Sequence, residues 1–132
     1  MTSTGSERPH PTTVPVIRTI AMPRDTNPAG DIFGGWLMSQ MDLGASTIAT
    51  ERAKGRVVTA AVDGMSFLSP VYVGDEVTIY GSIVSTGRTS MRIFVEAWRR
   101  RRDRDEVAKV TEATFTFVAL GEDRRPRPLP PE

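Results

Sequence analysis

Between Phe33 and Lys54 the apolar positions recur at helical spacing, at Leu37/Met38, Met41, Ala45 and Ile48/Ala49. The stretch has no proline and, after Gly34-Gly35, only Gly44 as an interior glycine. This predicts one long helix with an apolar stripe wide enough to be largely buried, and Gly55 stands where a left-handed residue would close it. Elsewhere the period falls to two. Residues 14–22 suit a first strand ended by Pro23, and residues 24–31 are dense in turn formers and read as a loop. Residues 56–63 are rich in β-branched side chains. Residues 76–85 set Val77, Ile79, Gly81 and Ile83 against Thr78, Tyr80 and Ser82. Residues 90–99 set Met91, Ile93, Val95 and Ala97 against Arg92, Phe94, Glu96 and Trp98. Residues 108–120 set Ala113, Phe115 and Phe117 against Val110, Glu112, Thr114, Thr116 and Val118. The turns at 73–75, 86–88 and 102–106 are short, so consecutive strands form antiparallel hairpins. One long helix followed by an antiparallel meander is an α+β arrangement, in which the sheet wraps the helix and buries its stripe.

Composition narrows the chemistry. At 132 residues and 39% apolar the chain supports one core. The organisation expected is a disordered leader at 1–12, a single domain at 13–121 and a Pro/Arg-rich extended tail at 122–132. The tail reads as a solvated terminus, or else as an extended strap on a neighbouring subunit. A net charge of +1 favours neither nucleic acid nor membrane as a partner. With no cysteine, a disulfide framework, a thiolate metal site and a Cys nucleophile are excluded. The one histidine, His10, lies in the polar leader, so no metal site is expected and chemistry falls to carboxylates, hydroxyls and backbone dipoles. No apolar signal segment opens the chain, and no stretch reaches the roughly 18 apolar residues that a bilayer span requires, so a cytoplasmic protein is expected. The run Arg99–Arg102 alternates faces on a strand and reads as a solvated hairpin tip that discourages edge pairing, with a phosphate contact as the alternative. Trp36 and Trp98, with Phe94, Phe115 and Phe117, read as core or subunit interface, or for one or two of them as the lining of a ligand tunnel. Met38, Met41 and Met65 read as core or as an adaptable apolar pocket.

Residues 27–42 carry the chemical signal. Two glycines at a helix start cost about 1 kcal/mol each in a helix interior. Either the join needs positive φ, or the missing side chains let a ligand reach the free amides of the first turn, a ready oxyanion or carbonyl-polarising site. Asp42 has Met38, Ala45 and Ala49 as its helical neighbours. A carboxylate on that border is a candidate for a raised pKa and base chemistry, or is satisfied by a strand or by solvent. Gly35 and Asp42 are seven residues apart, roughly 10 Å along a helix, so both cannot touch one carbonyl. A shared site would need a second subunit's helix lying antiparallel across a two-fold axis, hence a homo-oligomer with the dimer as its minimal active unit. The turn Gly87, Arg88, Thr89 and Ser90 offers a cation, hydroxyls and amides, or is an ordinary hairpin turn. Arg56 and Thr59 open a strand just past the helix.

The stretch 21–42, Ala-Met-Pro-Arg-Asp-Thr-Asn-Pro-Ala-Gly-Asp-Ile-Phe-Gly-Gly-Trp-Leu-Met-Ser-Gln-Met-Asp, resembles the signature of YciA-type bacterial acyl-CoA thioesterases in the hotdog-fold superfamily. The likeness continues through 55–59, 67–75, 87–90, 111–119 and 127–130, with matched spacing over about residues 16–130. The resemblance implies a hotdog fold, a long central helix wrapped by a five-stranded antiparallel sheet, and hydrolysis of short-to-medium chain acyl-CoA to free acid and CoA. It makes Asp42 the catalytic base or nucleophile and has Gly34 and Gly35 polarise the thioester carbonyl. It implies CoA contacts from Asn27, Arg56, Thr59 and the 87–90 turn, and commonly a trimer of dimers. No metal or redox cofactor is implied, coenzyme A being part of substrate and product. Asp31 is either the helix N-cap or, by position, the counterpart of an active-site Asn in related thioesterases. The run 99–106 departs from the longer connection of the family. Two other readings compete. A hotdog hydratase would use a histidine base, which this chain lacks outside its leader. A non-catalytic acyl-CoA-binding protein would have no need of Asp42.

Overall fold

The computed structural model describes residues 14–132. The leader at 1–12, with His10, lies outside the described residues. The elements are β1 (Ile17–Ile20), α1 (Gly34–Ala53), β2 (Val57–Val62), β3 (Glu76–Thr86), β4 (Ser90–Arg100) and β5 (Val107–Ala119), with a short 3-10 turn at Pro23–Asp25. All strand pairs are antiparallel, in the order β1-β3-β4-β5-β2. Thus β3, β4 and β5 form the expected meander. β2 leaves the helix end and runs along the far edge, pairing Val57 with Ala119 and Val62 with Phe115.

The helix buries Leu37, Met41, Ala45, Ala49 and Ala53 against Val77, Ile79, Ile93, Val95, Phe115 and Phe117. Each large apolar side chain so buried contributes about 1.5–3 kcal/mol. The helix's core face is mostly small, so α1 lies close to the sheet. At Gly44 a Cβ would sit 2.9 Å from Val16 Cγ2 and 3.4 Å from Ile79 Cγ2, too tight to build. That close seating fixes which way the rest of the helix faces.

Four expectations change. The first strand shrinks to Ile17–Ile20. The left-handed residue closing α1 is Lys54, at φ 57°, with its amide on Thr50 O at 2.8 Å; Gly55 follows it. Val110 faces the core, because a register shift opposite Ala97/Trp98 turns both Val110 and Thr111 inward. The arginine run is only half solvated. Arg99 and Arg101 are 5% and 9% exposed, on the continuation of the buried face of β4, whereas Arg100 and Arg102 point to solvent. Arg101 pairs with the buried carboxylate of Asp75 and stacks 4.4 Å over the Tyr72 ring. Arg99 donates to Ser69 Oγ at 2.9 and 3.2 Å.

The tail packs on its own subunit: Leu120 bridges to Pro126, and Arg52 Nη1 donates to Pro130 O at 2.6 Å. Most of the tail is exposed, but Arg127, Leu129 and Pro130 are partly buried at anchors on its own chain.

Removing one partner of a buried ion pair strands the other charge. Arg101→Met is expected to lower unfolding free energy by about 3 kcal/mol, while Arg100→Met, at an exposed pair with Glu76, changes it by about 0.5 kcal/mol or less. Urea melts of the two variants check the contrast.

Candidate active site

The loop before α1 is knitted by Asn27. Its Oδ1 accepts the amides of Ala29 and Asp31, both at 3.0 Å, and its own amide donates to Asp31 O at 2.7 Å. Asp31 is exposed and does not cap the helix. The N-cap residue is Phe33, in extended conformation with no side-chain cap. The first bond of the helix runs from Leu37 N–H to Phe33 O at 3.3 Å. The amides of Gly34, Gly35 and Trp36 precede it and have no acceptor within the helix. The positive helix end is therefore presented bare.

Neither Gly34 nor Gly35 has positive φ; Gly30 and Gly74 do. A strained join is therefore not why they are glycines. Their open sides differ. A Cβ on Gly34 would lie 3.3 Å from the Phe67 ring, whereas one on Gly35 would meet nothing within 4 Å. Gly34 seats an aromatic ring, and Gly35 is the open approach to the amides. Beside them lies an apolar cavity of about 240 Å³, walled by Ile32, Leu37, Phe67, Pro70 and Val71 and floored by Val110. The loop residues Phe67, Pro70 and Val71 escaped the sequence reading as a site, since no periodicity marks them. The signals there were Phe67 and Tyr72 in a Pro-bearing loop and the family likeness over 67–75.

Asp42 is half-buried at the edge of the stripe, between buried Ala45 and exposed Met38. Thr59 Oγ1, from β2, donates to Asp42 Oδ1 at 2.6 Å. One carboxylate oxygen is thereby fixed, and among the described residues Oδ2 has no hydrogen-bond partner. Thr59 is committed to Asp42, which sequence spacing alone could not show.

Arg56 and the 87–90 turn converge on the end of β5. Leu120 N–H donates to Arg56 O and Ala119 N–H to Thr89 O, both at 2.9 Å, while Gly87 N–H closes the turn on Ser90 O at 2.8 Å. Arg56 and Arg88 are exposed there. Among the described residues, no cluster of three or more His, Cys, Asp or Glu side chains is placed to hold a metal ion. No helix among them is long and apolar enough to cross a membrane.

A cleft of about 850 Å³ lies elsewhere, lined by Asp63, Ser66, Arg99, Glu106, Lys109 and Glu112 among others. Burial, with Arg101 alongside, pushes the Arg99 pKa down. Burial also opposes the Lys109 charge, but hydrogen bonds to Glu112 and Glu96 override it and raise that pKa. These charges largely pair among themselves, and neither Gly35 nor Asp42 lines the cleft.

The thioesterase superfamily profile matches residues 29–105. The acyl-CoA thioester hydrolase YciA of Salmonella typhimurium is 53% identical over 118 residues, covering 87% of this chain and 89% of its own. The hexameric thioesterase of Yersinia pestis superimposes with a TM-score of 0.87 at 50% identity, over 93% of this chain and 100% of that one. A hexameric broad-specificity acyl-coenzyme A thioesterase superimposes with a TM-score of 0.90 at 47% identity, over 98% and 90% of the two chains. An aspartate-to-alanine variant of that enzyme also matches this chain. With identities near one half over nearly the whole domain, and the five-stranded sheet curled round a single helix, the chain belongs to the YciA-type acyl-CoA thioester hydrolases of the hotdog-fold thioesterase superfamily.

Proposed function

We propose that this chain hydrolyses short-to-medium chain acyl-CoA to a carboxylic acid and CoA. The observation that carries the reading is the pair of features on α1: a bare helix N-terminus open at Gly35, and a carboxylate at Asp42 oriented by Thr59. The thioester oxygen takes the place of the missing N-cap and accepts the Gly35 amide and its neighbours. Those donors strengthen as negative charge develops on the oxygen. Asp42 then takes a proton from water as the water oxygen bonds to the carbonyl carbon; the C–S bond breaks and the thiolate leaves as CoA, taking up a proton. Attack by Asp42 itself, giving a mixed anhydride that water then opens, uses the same free oxygen. Neither route calls for a metal or a redox cofactor.

The roughly 10 Å along α1 between Gly35 and Asp42 requires two copies, one giving the amides and the other the carboxylate. The surface supports this. Met38 and Leu43 on the helix, and Val58 and Val62 on the edge strand β2, are 39–58% exposed beside Asp42, apolar area for a second copy to cover. The hexameric relatives support a trimer of such dimers. The acyl group enters the apolar cavity next to Gly34. At roughly 30 Å³ per heavy atom, water's share of liquid volume, 240 Å³ holds about eight such atoms. A cytoplasmic location agrees with this substrate. Among the other site residues, Asn27 and Asp31 hold the loop that aims the helix start, and Arg56 and the 87–90 turn meet the CoA half.

Thiol release from acyl-CoAs of two to sixteen carbons tests the reading. Wild type is expected to peak at short-to-medium chains, and Asp42→Ala to fold normally, bind CoA and lose about 10²–10⁴-fold in kcat. Wild-type rates in that variant would overturn the mechanism. Thr59→Val is expected to lower kcat about tenfold with KM little changed, the worth of one hydrogen bond to a charged group. Gly35→Val, a side chain with room to fold but standing over the amides, is expected to be inactive. Co-expressed with Asp42→Ala it should restore roughly one quarter of wild-type activity, since half of randomly mixed dimers carry one intact site of two.

A further inference from the structure

The C-terminal strap converges on the same corner as the 87–90 turn. Arg127 is its anchor. The guanidinium donates through Nη2 to Ala53 O, the last carbonyl of α1, at 2.8 Å, and through Nε to Leu120 O at 2.9 Å; the Arg127 amide donates to Ala119 O at 2.9 Å. Arg127 Nη2 lies 2.7 Å from where a Cβ of Gly55 would stand, so a side chain there would push the guanidinium from this position. Arg52 grips the strap again at Pro130, and Leu129 packs against the core. Between these anchors the Leu129 amide donates to Arg88 O at 2.9 Å.

That last bond orients a peptide plane. All peptides of the described residues are trans, and in a trans peptide the carbonyl and the following amide point in opposite directions. Drawing the Arg88 carbonyl toward the strap turns the Thr89 amide away from it, and no acceptor for that amide appears among the described residues. The Thr89 carbonyl is likewise drawn inward by Ala119. The turn therefore presents an outward N–H next in the chain to the exposed cation of Arg88, with exposed Arg56 bonded through its backbone to the same end of β5, a combination suited to phosphate oxygen. Among the described residues, the Leu129 bond is the one hydrogen bond made by the polar groups of the 88–89 peptide itself, the neighbouring bonds at Thr89 O and Gly87 N holding only its flanks.

We propose that the strap at 126–130 is a positioning element for the phosphate-bearing half of coenzyme A, with Arg127 as its anchoring residue and Leu129 N–H as the group that sets the 87–90 turn. Neither residue touches substrate; both act through the Thr89 amide. The proposal rests on the reading of the chain as an acyl-CoA thioesterase whose 87–90 turn meets CoA.

The test compares two thioesters of one acyl group. One is on CoA; the other is on N-acetylcysteamine, which keeps the reacting bond and lacks every phosphate. Wild-type turnover of acyl-CoA, measured first, checks the underlying thioesterase reading, and its absence would sink both proposals. With wild type active, Arg127→Met and Leu129→Pro are each expected to raise KM for acyl-CoA about tenfold, to keep kcat within about twofold, and to leave kcat/KM for the N-acetylcysteamine thioester unchanged. Free CoA, titrated calorimetrically, should bind both variants more weakly by the same factor. Leu129→Pro serves alone if loss of the Arg127 anchor prevents folding. Equal losses on the two thioesters, or a fall in kcat with KM intact, would show the strap to be structural only and overturn the inference.

Discussion

The rest of the molecule depends on how closely α1 is seated in the sheet. Ala45, Ala49 and Ala53 are fully buried, and Gly44 has no room for a side chain against Val16 and Ile79. A helix held so tightly has little freedom to roll, because packed interiors at this density respond to even one methylene. Its orientation dictates the chemistry. With this stripe inward, Gly35 and Met38 face out and Asp42 sits at the border, within reach of Thr59 on the edge strand. A larger residue in the stripe would have to displace the helix or the sheet it rests on.

Much of this was legible in sequence because it is periodic. The helix, the alternation of Met91, Ile93, Val95 and Ala97, and that of Ala113, Phe115 and Phe117 are local patterns that burial reproduces. What failed to read correctly depends on partners far along the chain. Arg99 and Arg101 continue the core face of β4, but nothing local says that a guanidinium there will meet Asp75, 26 residues away, or Ser69, 30 residues away. Lys54 rather than Gly55 takes the left-handed cap, and Gly55 instead lies against the guanidinium of Arg127. At the site, the double glycine and Asp42 stood out as residues that are costly where they occur. Thr59 did not, since a strand threonine is ordinary until the helix brings a carboxylate beside it.

Taken with the strap, the helix acquires two working ends. Its N-terminus offers amides to an oxygen, and its C-terminal carbonyl at Ala53 is satisfied by Arg127, whose strap reaches the 87–90 turn. Asp42 to Ala53 spans roughly 16 Å at 1.5 Å per residue. On the proposed reading, an antiparallel pair of helices draws the carboxylate and the 87–90 turn from one copy, and the helix N-terminal amides and the apolar cavity from the other.

The buried arginines complete this division of labour. The loop between β2 and β3 contains Phe67, Pro70 and Val71, three walls of the apolar cavity, yet Phe67 is 48% exposed and the loop has no strand pairing of its own. Polar contacts hold it. Arg99 bonds Ser69, Arg101 pairs with Asp75 while covering Tyr72, the Leu68 amide bonds Val110 O, and Thr111 Oγ1 bonds Ser66 O. Hydrophobic contact alone is non-directional and would let such a loop slide. A planar guanidinium with fixed donors pins it in register, which a flexible ammonium would do less well. The charge run that looked like solubilising decoration thus ties the loop that walls the cavity to the end of β4.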